Sequence, residues 1–571
     1  MNRDSIVLPL GIDSFETIRS DNYYYIDKTG IIEEILKKAF QVLLITRPRR
    51  FGKTLAMDTL AQFFDIRKAS GEMFDGLDIS KKKDLCNEWM NQWPVIFLTL
   101  KEADGLTFEM AQRKLATSIS DLYIQHTYLL KSNKVDMNDR KAFETYHYNR
   151  ADETELQNAL FLLMRMMYMH FGKKVIILID EYDVPLAKAN EKGYYKEMLN
   201  LVQGLMSKTL KTNPYLKFAV VTGCLRIAKQ SIFTGTNNFV SDTITGTRFN
   251  EYFGFTNADV KKLLFDTGLE NRTEEIRRWY DGYRFGTVDI YCPWDVLNHV
   301  NAVQDNPDIT PKSYWEDTSH NGVLRTFIEL ANGEDWQDLD INEKFETLLA
   351  GGFINQPIEE NLTYDTLYST ESNLWSLLYL TGYLTQAAFD ELPEDVQVKE
   401  GDFWTKIPNE EVKAIFKKTV VAWFQAKVRT IDRSELFLAM WNGDEEKATK
   451  LLSDLLFDTI SYYDYREDFY HAFIAGVFTG AGYAVKSNRE AGLGRTDLVI
   501  RDKNRRRAMI IEAKRVAEEK LLEAGCTEAV KQIDEKRYAD EFSKGYRSVI
   551  CYGIAFYDKE CLVKKFGTVE K

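Results

Sequence analysis

"ITRPRRFGKTLAMDTLAQFF", residues 45–64, places Gly52, Lys53 and Thr54 between an apolar strand and an amphipathic helix. That context suits a phosphate loop. Backbone N–H groups and a helix N-terminus receive phosphate oxygens, a lysine reaches the β- and γ-phosphates, and a hydroxyl supports Mg²⁺. The general motif places a glycine five residues before the glycine of its GKT triplet, and Arg47 stands at that position here. A bare GKT is weak evidence by itself. The stretch "KKVIILIDEYDVPL" strengthens it: the apolar run Ile176–Ile179 ends in Asp180 and Glu181. An acid at such a strand end supports the metal shell, and the next carboxylate orients an attacking water. The competing reading is a buried strand that ends in solvated acids.

Working outward, "QVLLIT" (41–46), "VIFLTL" (95–100), "VIILID" (175–180) and "KFAVVTG" (217–223) alternate with helix-length amphipathic stretches. Short apolar strands spaced by helices predict a parallel sheet covered by helices on both faces. We place this α/β region at 1–255. Residues 256–455 read as a mainly helical region, with "NADVKKLLFDTG", "NLWSLLYLTGYL" and "NEEVKAIFKKTVVAWFQ". Residues 456–571 bring a helix, alternating strands and another helix. No internal repeat, low-complexity segment or Pro/Gly/Ser-rich linker is found.

A chain of 571 residues is too long for one core, and 44% hydrophobic with 28% charged residues is an ordinary globular composition. The six cysteines form no C-x-x-C pair and no zinc-spaced cluster, which predicts reduced thiols in a cytoplasmic protein. No apolar run reaches the length of a membrane span, so no membrane partner is expected. The net charge of -13 excludes capture of nucleic acid by bulk electrostatics. Residues 452–571 are close to neutral, however, and "RDKNRRR" (501–507) is a local basic stretch. It reads equally as a nucleic-acid contact or as a solvated hairpin turn.

The C-terminal part holds a second constellation, "GLGRTDLVIRDKNRRRAMIIEAK" (492–514). In the strand ending in Glu512-Ala513-Lys514, residues i and i+2 share a face, so Glu512 and Lys514 lie side by side. A polar turn joins this strand to the one opened by Asp497, which brings the two acids together. Paired carboxylates hold Mg²⁺, and a neighbouring lysine positions the water that attacks a phosphodiester. A charge-rimmed hairpin is the plain structural alternative.

Both constellations also carry family resemblances. "YYYIDKTGIIEEIL", "RPRRFGKTL", "IDEYDVPL", "TGCLRIAKQSIFTGTNNF", "YDGYRFG" and "YCPWDVLN" together resemble the bacterial AAA-ATPase-like family over most of residues 5–300. The resemblance implies that arginine at position 47 is normal in this loop. It also implies ATP and Mg²⁺ as cofactors, with Arg49, Arg50, Phe51, Gly52, Lys53, Thr54 and Asp180 binding nucleotide. Thr54 and Asp180 would support the metal, and Glu181 would be catalytic. Arg226 and Arg248 are candidate sensor or finger residues, though a structural arginine is the more ordinary reading of each.

The D-x14-E-x-K spacing of Asp497, Glu512 and Lys514 resembles the PD-(D/E)XK nuclease superfamily, and specifically the nuclease-like domain that follows AAA-ATPase-like domains. Glu467, in "REDFYHAFIAGVF", matches the extra helix-borne acid of that domain. Gly494 and Arg495 precede the Asp as in its G-x-G-R-x-D variant, with Thr496 in place of proline. Gln532 and Tyr538 match the glutamine and tyrosine of the following helix. The resemblance implies Asp497, Glu512, Lys514 and Gln532 as catalytic residues, and Glu467, Asp497 and Glu512 as metal ligands. His471, one turn beyond Glu467, reads as packing.

The expected fold is therefore α/β: a P-loop NTPase parallel sheet, a mainly helical middle and a C-terminal restriction-endonuclease-like domain. The expected function is an ATP-regulated, Mg²⁺-dependent DNA endonuclease, associated with defence against foreign DNA or with mobile elements. Homo-oligomerisation through the ATPase region is a further expectation. Two alternatives share the motifs: a nuclease acting on RNA or branched nucleic acid, and a nucleotide-switched interaction protein whose nuclease fold only binds.

Overall fold

The computed structural model describes residues 6–38, 40–226, 239–315, 322–331, 341–364, 366–393, 396–430, 432–459, 467–478, 483–491, 494–502, 505–535 and 546–570. The chain divides into two compact units: Met1–His320 with Asn355–Val412, and Asn321–Ile354 with Lys413–Lys571. No helix among the described residues is long and apolar enough to cross a membrane.

The first unit is built on a parallel sheet of strands β1 (Val42–Thr46), β2 (Val95–Thr99), β3 (Val175–Asp180), β4 (Leu216–Gly223) and β5 (Phe239–Asp242). Their order is β2-β3-β4-β1-β5. The registers Val42↔Ala219, Val42↔Phe239, Val95↔Ile176 and Ile176↔Phe218 are all parallel. Every residue of β1 and β3 is buried, as unbroken apolar strands require when helices cover both faces. The crossover helices carry their own boundary signals. Glu153–Phe171 starts with a reciprocal Asp152/Glu155 capping box and stops at Gly172, whose φ of 71° suits a left-handed cap.

Parallel pairing has one consequence for function: all five strands end at the same sheet edge. The loop after β1 and the acids ending β3 therefore meet there, with β4 between them. Arg47 fastens this edge. Its side chain is fully buried and pairs with Asp242 at the end of β5 (Nη2–Oδ1 2.6 Å), and its Nη1 donates to the Thr46 carbonyl at 2.8 Å. The guanidinium also lies 5.3 Å and 5.4 Å from the ring centroids of Phe253 and Phe285. The residue that departs from the general loop motif is thus a tie between strands β1 and β5.

Beyond the sheet, the middle of the chain is mainly helical, with Asn257–Thr267, Thr273–Tyr280, Pro293–Asp305, Glu371–Leu380 and Glu410–Thr430. Short strands interleave these helices. Tyr283–Phe285 and Val288–Tyr291 form a hairpin turned at Gly286, where φ is 53°.

In the second unit, a mixed sheet follows the order β6 (Ala484–Ala491), β7 (Gly494–Asp502), β8 (Arg507–Arg515), β9 (Ser548–Tyr557), β10 (Glu560–Glu570). Strands β8 and β9 are parallel and the other pairs antiparallel. Period-two alternation separates two cores. Leu498, Ile500, Met509, Ile511 and Ala513 pack with Tyr470, Phe473 and Ile474 of the helix Glu467–Phe478. Val499, Ala508 and Ile510 face the other way, towards Ile533 of the helix Leu522–Glu535. That second helix sits very close to the sheet, since a Cβ on Gly553 would lie 2.7 Å from the Cys526 carbonyl oxygen.

Removing one partner of a buried pair strands the other charge at a cost of about 3–5 kcal/mol. Arg47→Gly, which restores the general motif, is therefore expected to lower the stability of the first unit by about that amount. Urea denaturation checks this, and a loss below about 1 kcal/mol would mean that the pair does not hold β5.

Candidate functional site

The loop between β1 and the helix Lys53–Phe64 is shaped by two left-handed residues, Arg50 (φ 71°) and Gly52 (φ 82°). Glycine takes this conformation without strain. Arg50 does not, and its guanidinium is held 4.2 Å from the ring centroid of Trp294. The helix begins directly after Gly52, so its first-turn N–H groups lack intrahelical acceptors.

Lys53 is almost wholly buried. Its Nζ donates to the Arg47 and Pro48 carbonyls at 3.1 Å and 3.0 Å and lies 3.6 Å from Cys224 Sγ and 3.9 Å from Glu181 Oε1. Burial opposes its charge, yet Cys224, Glu181 and Asp180 together raise its ammonium above the ordinary lysine value. Thr54 Oγ1 donates to Asp180 Oδ2 at 2.7 Å, and Thr222 Oγ1 of β4 donates to Asp180 Oδ1. Burial, and then the charge of Glu181, raises the Asp180 carboxyl, while the two threonine hydrogen bonds oppose that shift.

Arg49, Arg50, Phe51, Gly52, Lys53, Thr54 and Glu181 all line one cavity of about 570 Å³, with Asp180 buried behind it. The other walls include Tyr24, Tyr25, Lys28 and Trp294, which lie in the stretches "YYYIDKTGIIEEIL" and "YCPWDVLN" that carry the family resemblance but to which sequence reasoning gave no role. They arrive from distant parts of the chain, and no residue spacing shows that they meet at this cavity. A left-handed glycine, a helix start, a lysine and a threonine backed by the buried Asp180 line this cavity. These groups fit a nucleotide phosphate chain and its magnesium ion.

Arg226 and Arg248 do not line the cavity. Arg248 Nη2 donates to the Glu34 carbonyl at 2.7 Å, and Arg226 Nη1 lies 3.8 Å from Glu360 Oε2.

Asp183 is a further residue that the motifs did not flag. Its Oδ2 accepts the N–H groups of Cys224 and Leu225, each at 2.9 Å, which ties the loop after β3 to the loop after β4. Burial, then the charge of Glu181, pushes its carboxyl up to about 6.

In the second unit, Asp497, Glu512, Lys514 and Gln532 come together on the sheet face that packs against the helix Leu522–Glu535. Glu512 is fully buried. Gln532 Nε2 donates to Glu512 Oε1, the Asp497 N–H approaches Glu512 Oε2 at 3.4 Å, and Lys514 Nζ lies 4.0 Å from Oε1. Asp497 Oδ2 in turn accepts the Ala513 N–H at 2.9 Å. Ala513 itself packs into the opposite core. Two carboxylates held this closely are a hard oxygen donor set and fit a divalent cation such as Mg²⁺.

Glu467 opens the helix Glu467–Phe478, but its side chain lies outside the described residues, as do the side chains of His471, Arg495 and Thr496. Tyr538 lies outside them altogether. Among the described residues no group of three or more His, Cys, Asp or Glu forms a metal cluster.

The Asp183 carboxyl gives a pH signature. Its folded value of about 6 exceeds the ordinary 3.8, so between those values the folded chain holds a proton that the unfolded chain has lost. Stability from this group is full below the lower value, falls as pH rises through the interval, and is gone above it. Asp183→Asn keeps one acceptor oxygen and removes the titration. It should flatten that fall and gain on the order of 2–3 kcal/mol at neutral pH. Denaturant midpoints measured across the interval check this, and an unchanged slope would contradict it.

Known families match both constellations. Residues 9–233 match the family model described as predicted AAA-ATPase, and residues 465–566 match that of the PD-(D/E)XK nuclease superfamily. An Azotobacter chroococcum mcd 1 protein, described as an uncharacterized protein in the vnfD 5' region, is 25% identical over 574 residues, covering 96% of each chain. No solved structure matches. The chain therefore carries a predicted AAA-ATPase region followed by a PD-(D/E)XK nuclease-superfamily region, the layout its motifs spell out.

Proposed function

We propose that the chain is an ATP-binding, ATP-regulated, Mg²⁺-dependent DNA endonuclease. The observation that carries the nuclease reading is the buried Glu512 carboxylate, clasped by Gln532 and the Asp497 backbone, with Lys514 4.0 Å away. A charge-rimmed hairpin has no need to bury that carboxylate, because burial is costly unless the group is fully engaged. Asp497 and Glu512, with Glu467, hold the metal. When bound, Mg²⁺ supplies polarisation of the phosphodiester and acidification of a water. Lys514 orients the attacking water, and Gln532 fixes the direction of Glu512.

In the first unit the Arg49–Thr54 loop receives the ATP phosphates, with Lys53 against the β- and γ-groups. Thr54 and Asp180 support the associated Mg²⁺, and Glu181 orients the hydrolytic water. Lys53, already positioned by two carbonyls, exchanges these acceptors for phosphate oxygens when nucleotide enters. We assign the protein to the cytoplasm, with assembly of copies through the ATPase region and a role in defence against foreign DNA or in mobile-element biology.

Lys53→Ala is expected to abolish ATP binding or weaken it at least tenfold. Glu181→Gln should retain binding and lose hydrolysis, because only the water-orienting carboxylate is removed. Titration calorimetry and phosphate release separate the two, and unchanged ATP affinity in the Lys53 variant would sink the nucleotide assignment.

For the nuclease site, Asp497→Ala and EDTA should each eliminate cleavage without unfolding the second unit. Lys514→Ala should reduce cleavage at least a hundredfold while the protein still binds Mg²⁺ and DNA, whereas Ala513→Ser should change cleavage far less. Cleavage rate, metal affinity and melting temperature of each variant distinguish this pattern from a structural one, in which activity would simply follow stability.

A further inference from the structure

The basic stretch at 501–507 takes no part in either site, yet the fold gathers further arginines around it. Strands β7 and β8 are joined there, and the turn carries Arg505 and Arg506, both exposed. Arg506 takes a left-handed backbone with φ of 51°, and its carbonyl accepts the N–H of Arg547 at 2.6 Å. That bond brings exposed Arg547, which lies just before β9, to the same end of the sheet.

Beside the turn lies a pocket of about 490 Å³, lined by Arg505, Arg507, Arg433, Trp441, Tyr483 and Leu438 among others. The Arg507 guanidinium covers the Trp441 ring at 4.1 Å. Trp441 is only 6% exposed, and its indole N–H has no acceptor among the described residues. Leu438 is 58% exposed at the rim.

Five arginines therefore gather here; Arg433 Nη1 donates to the Val477 carbonyl at 2.5 Å, and among the described residues Asp502 and Asp432 already accept hydrogen bonds. Asp502 accepts from Arg507 Nε at 2.9 Å and from the Arg505 N–H at 3.1 Å. Asp432 Oδ1 accepts the Ser434 N–H at 2.9 Å. An excess of guanidinium groups in a chain of net charge -13 is a local anion-binding surface.

We propose that this arginine-rich end of the sheet, with the Trp441 pocket, is a second nucleic-acid contact that grips the phosphate backbone away from the cutting site. Arginines pair with phosphate oxygens, and Tyr483 and Leu438 offer an apolar floor for sugar or base. The anchor deepens the nuclease reading, on which it rests, by giving the substrate a second hold. Arg507 and Glu512 lie five residues apart on β8, so the anchor stands roughly 17 Å from the clustered carboxylates. The pocket opens on the side of Trp441, whereas Glu512 faces the helix Leu522–Glu535. It therefore contributes to binding and does not touch the reacting phosphate.

The test uses the full chain in a non-cleaving Lys514→Ala background, with a fluorescent duplex of about 30 base pairs and the matching single strand. Anisotropy titrations between about 50 and 200 mM salt compare two charge reversals of equal size. One is Arg505→Glu with Arg547→Glu. The other, a control, is Lys81→Glu with Lys262→Glu, whose lysine side chains are 69% and 70% exposed in the first unit. The arginine reversal should weaken binding at least tenfold at low salt. It should also reduce the slope of log affinity against log salt by about one for each phosphate that is no longer neutralised. Arg505→Lys with Arg547→Lys should restore most of the affinity, and the lysine control should change little.

Equal weakening in both reversals, or an unchanged slope, would overturn the proposal. Unchanged DNA and RNA affinity alongside weakened binding of polyglutamate would make the surface one for acidic proteins and overturn it likewise. In the Lys514-intact chain, the arginine reversal should raise KM for DNA while leaving kcat unchanged. Should the chain bind DNA through this surface and never cleave it, the nuclease reading fails and the anchor stands.

Discussion

A buried carboxylate at a strand end organises each of the two sites. Asp180 at the end of β3 is completely buried, and Thr54 and Thr222 reach it from the segments that follow β1 and from β4. A buried carboxylate without partners is destabilising by several kcal/mol, so these hydroxyls are a requirement of the fold as well as of any chemistry. The loop that carries Lys53 is thereby locked to the central strands, and the cavity above it takes its shape from that lock. Glu512 repeats the logic in the other unit, where Gln532 and the Asp497 backbone engage a carboxylate that has no access to solvent.

Parallel pairing sets where these groups converge. Because β1, β3 and β4 run the same way, their ends share one edge, and residues 126 positions apart, Thr54 and Asp180, meet at hydrogen-bond distance. In the second unit, the antiparallel β7–β8 pairing sets Asp497 beside Ala513, and period-two alternation turns Glu512 and Lys514 to the same face. Close approach of the helix Leu522–Glu535 over Gly553 then delivers Gln532. Each site is thus a product of topology acting on a handful of polar residues placed at strand ends.

Much of this was legible in the sequence, for physical reasons. "VIILID" reads as a strand buried on both faces because it has no polar break before its acids, and Glu512-Ala513-Lys514 reveals its face because the strand period is two. The part that was not legible depends on long-range packing. Arg47 looks like a defect in a phosphate loop until its pairing with Asp242, 195 residues away, is seen. Asp183 sits beside the acidic pair, but its two N–H donors come from the loop after β4. Tyr24, Lys28 and Trp294 become cavity walls only through the tertiary fold. The helical pattern of the middle region was visible, whereas strands as short as Tyr283–Phe285 leave too few residues for a period to show.

The joining of a nucleotide-type cavity and a carboxylate–lysine cluster in one chain makes nucleotide control of strand cleavage the central claim. Its most direct measurement is cleavage of supercoiled, linear and single-stranded DNA by the purified full-length protein, with Mg²⁺ present throughout and ATP present or absent. Nucleotide-gated endonuclease activity predicts conversion of supercoiled to nicked or linear DNA that depends on Mg²⁺ and changes at least severalfold with ATP. Cleavage at the same rate with and without ATP would contradict nucleotide control, and intact DNA under every condition would contradict the nuclease itself.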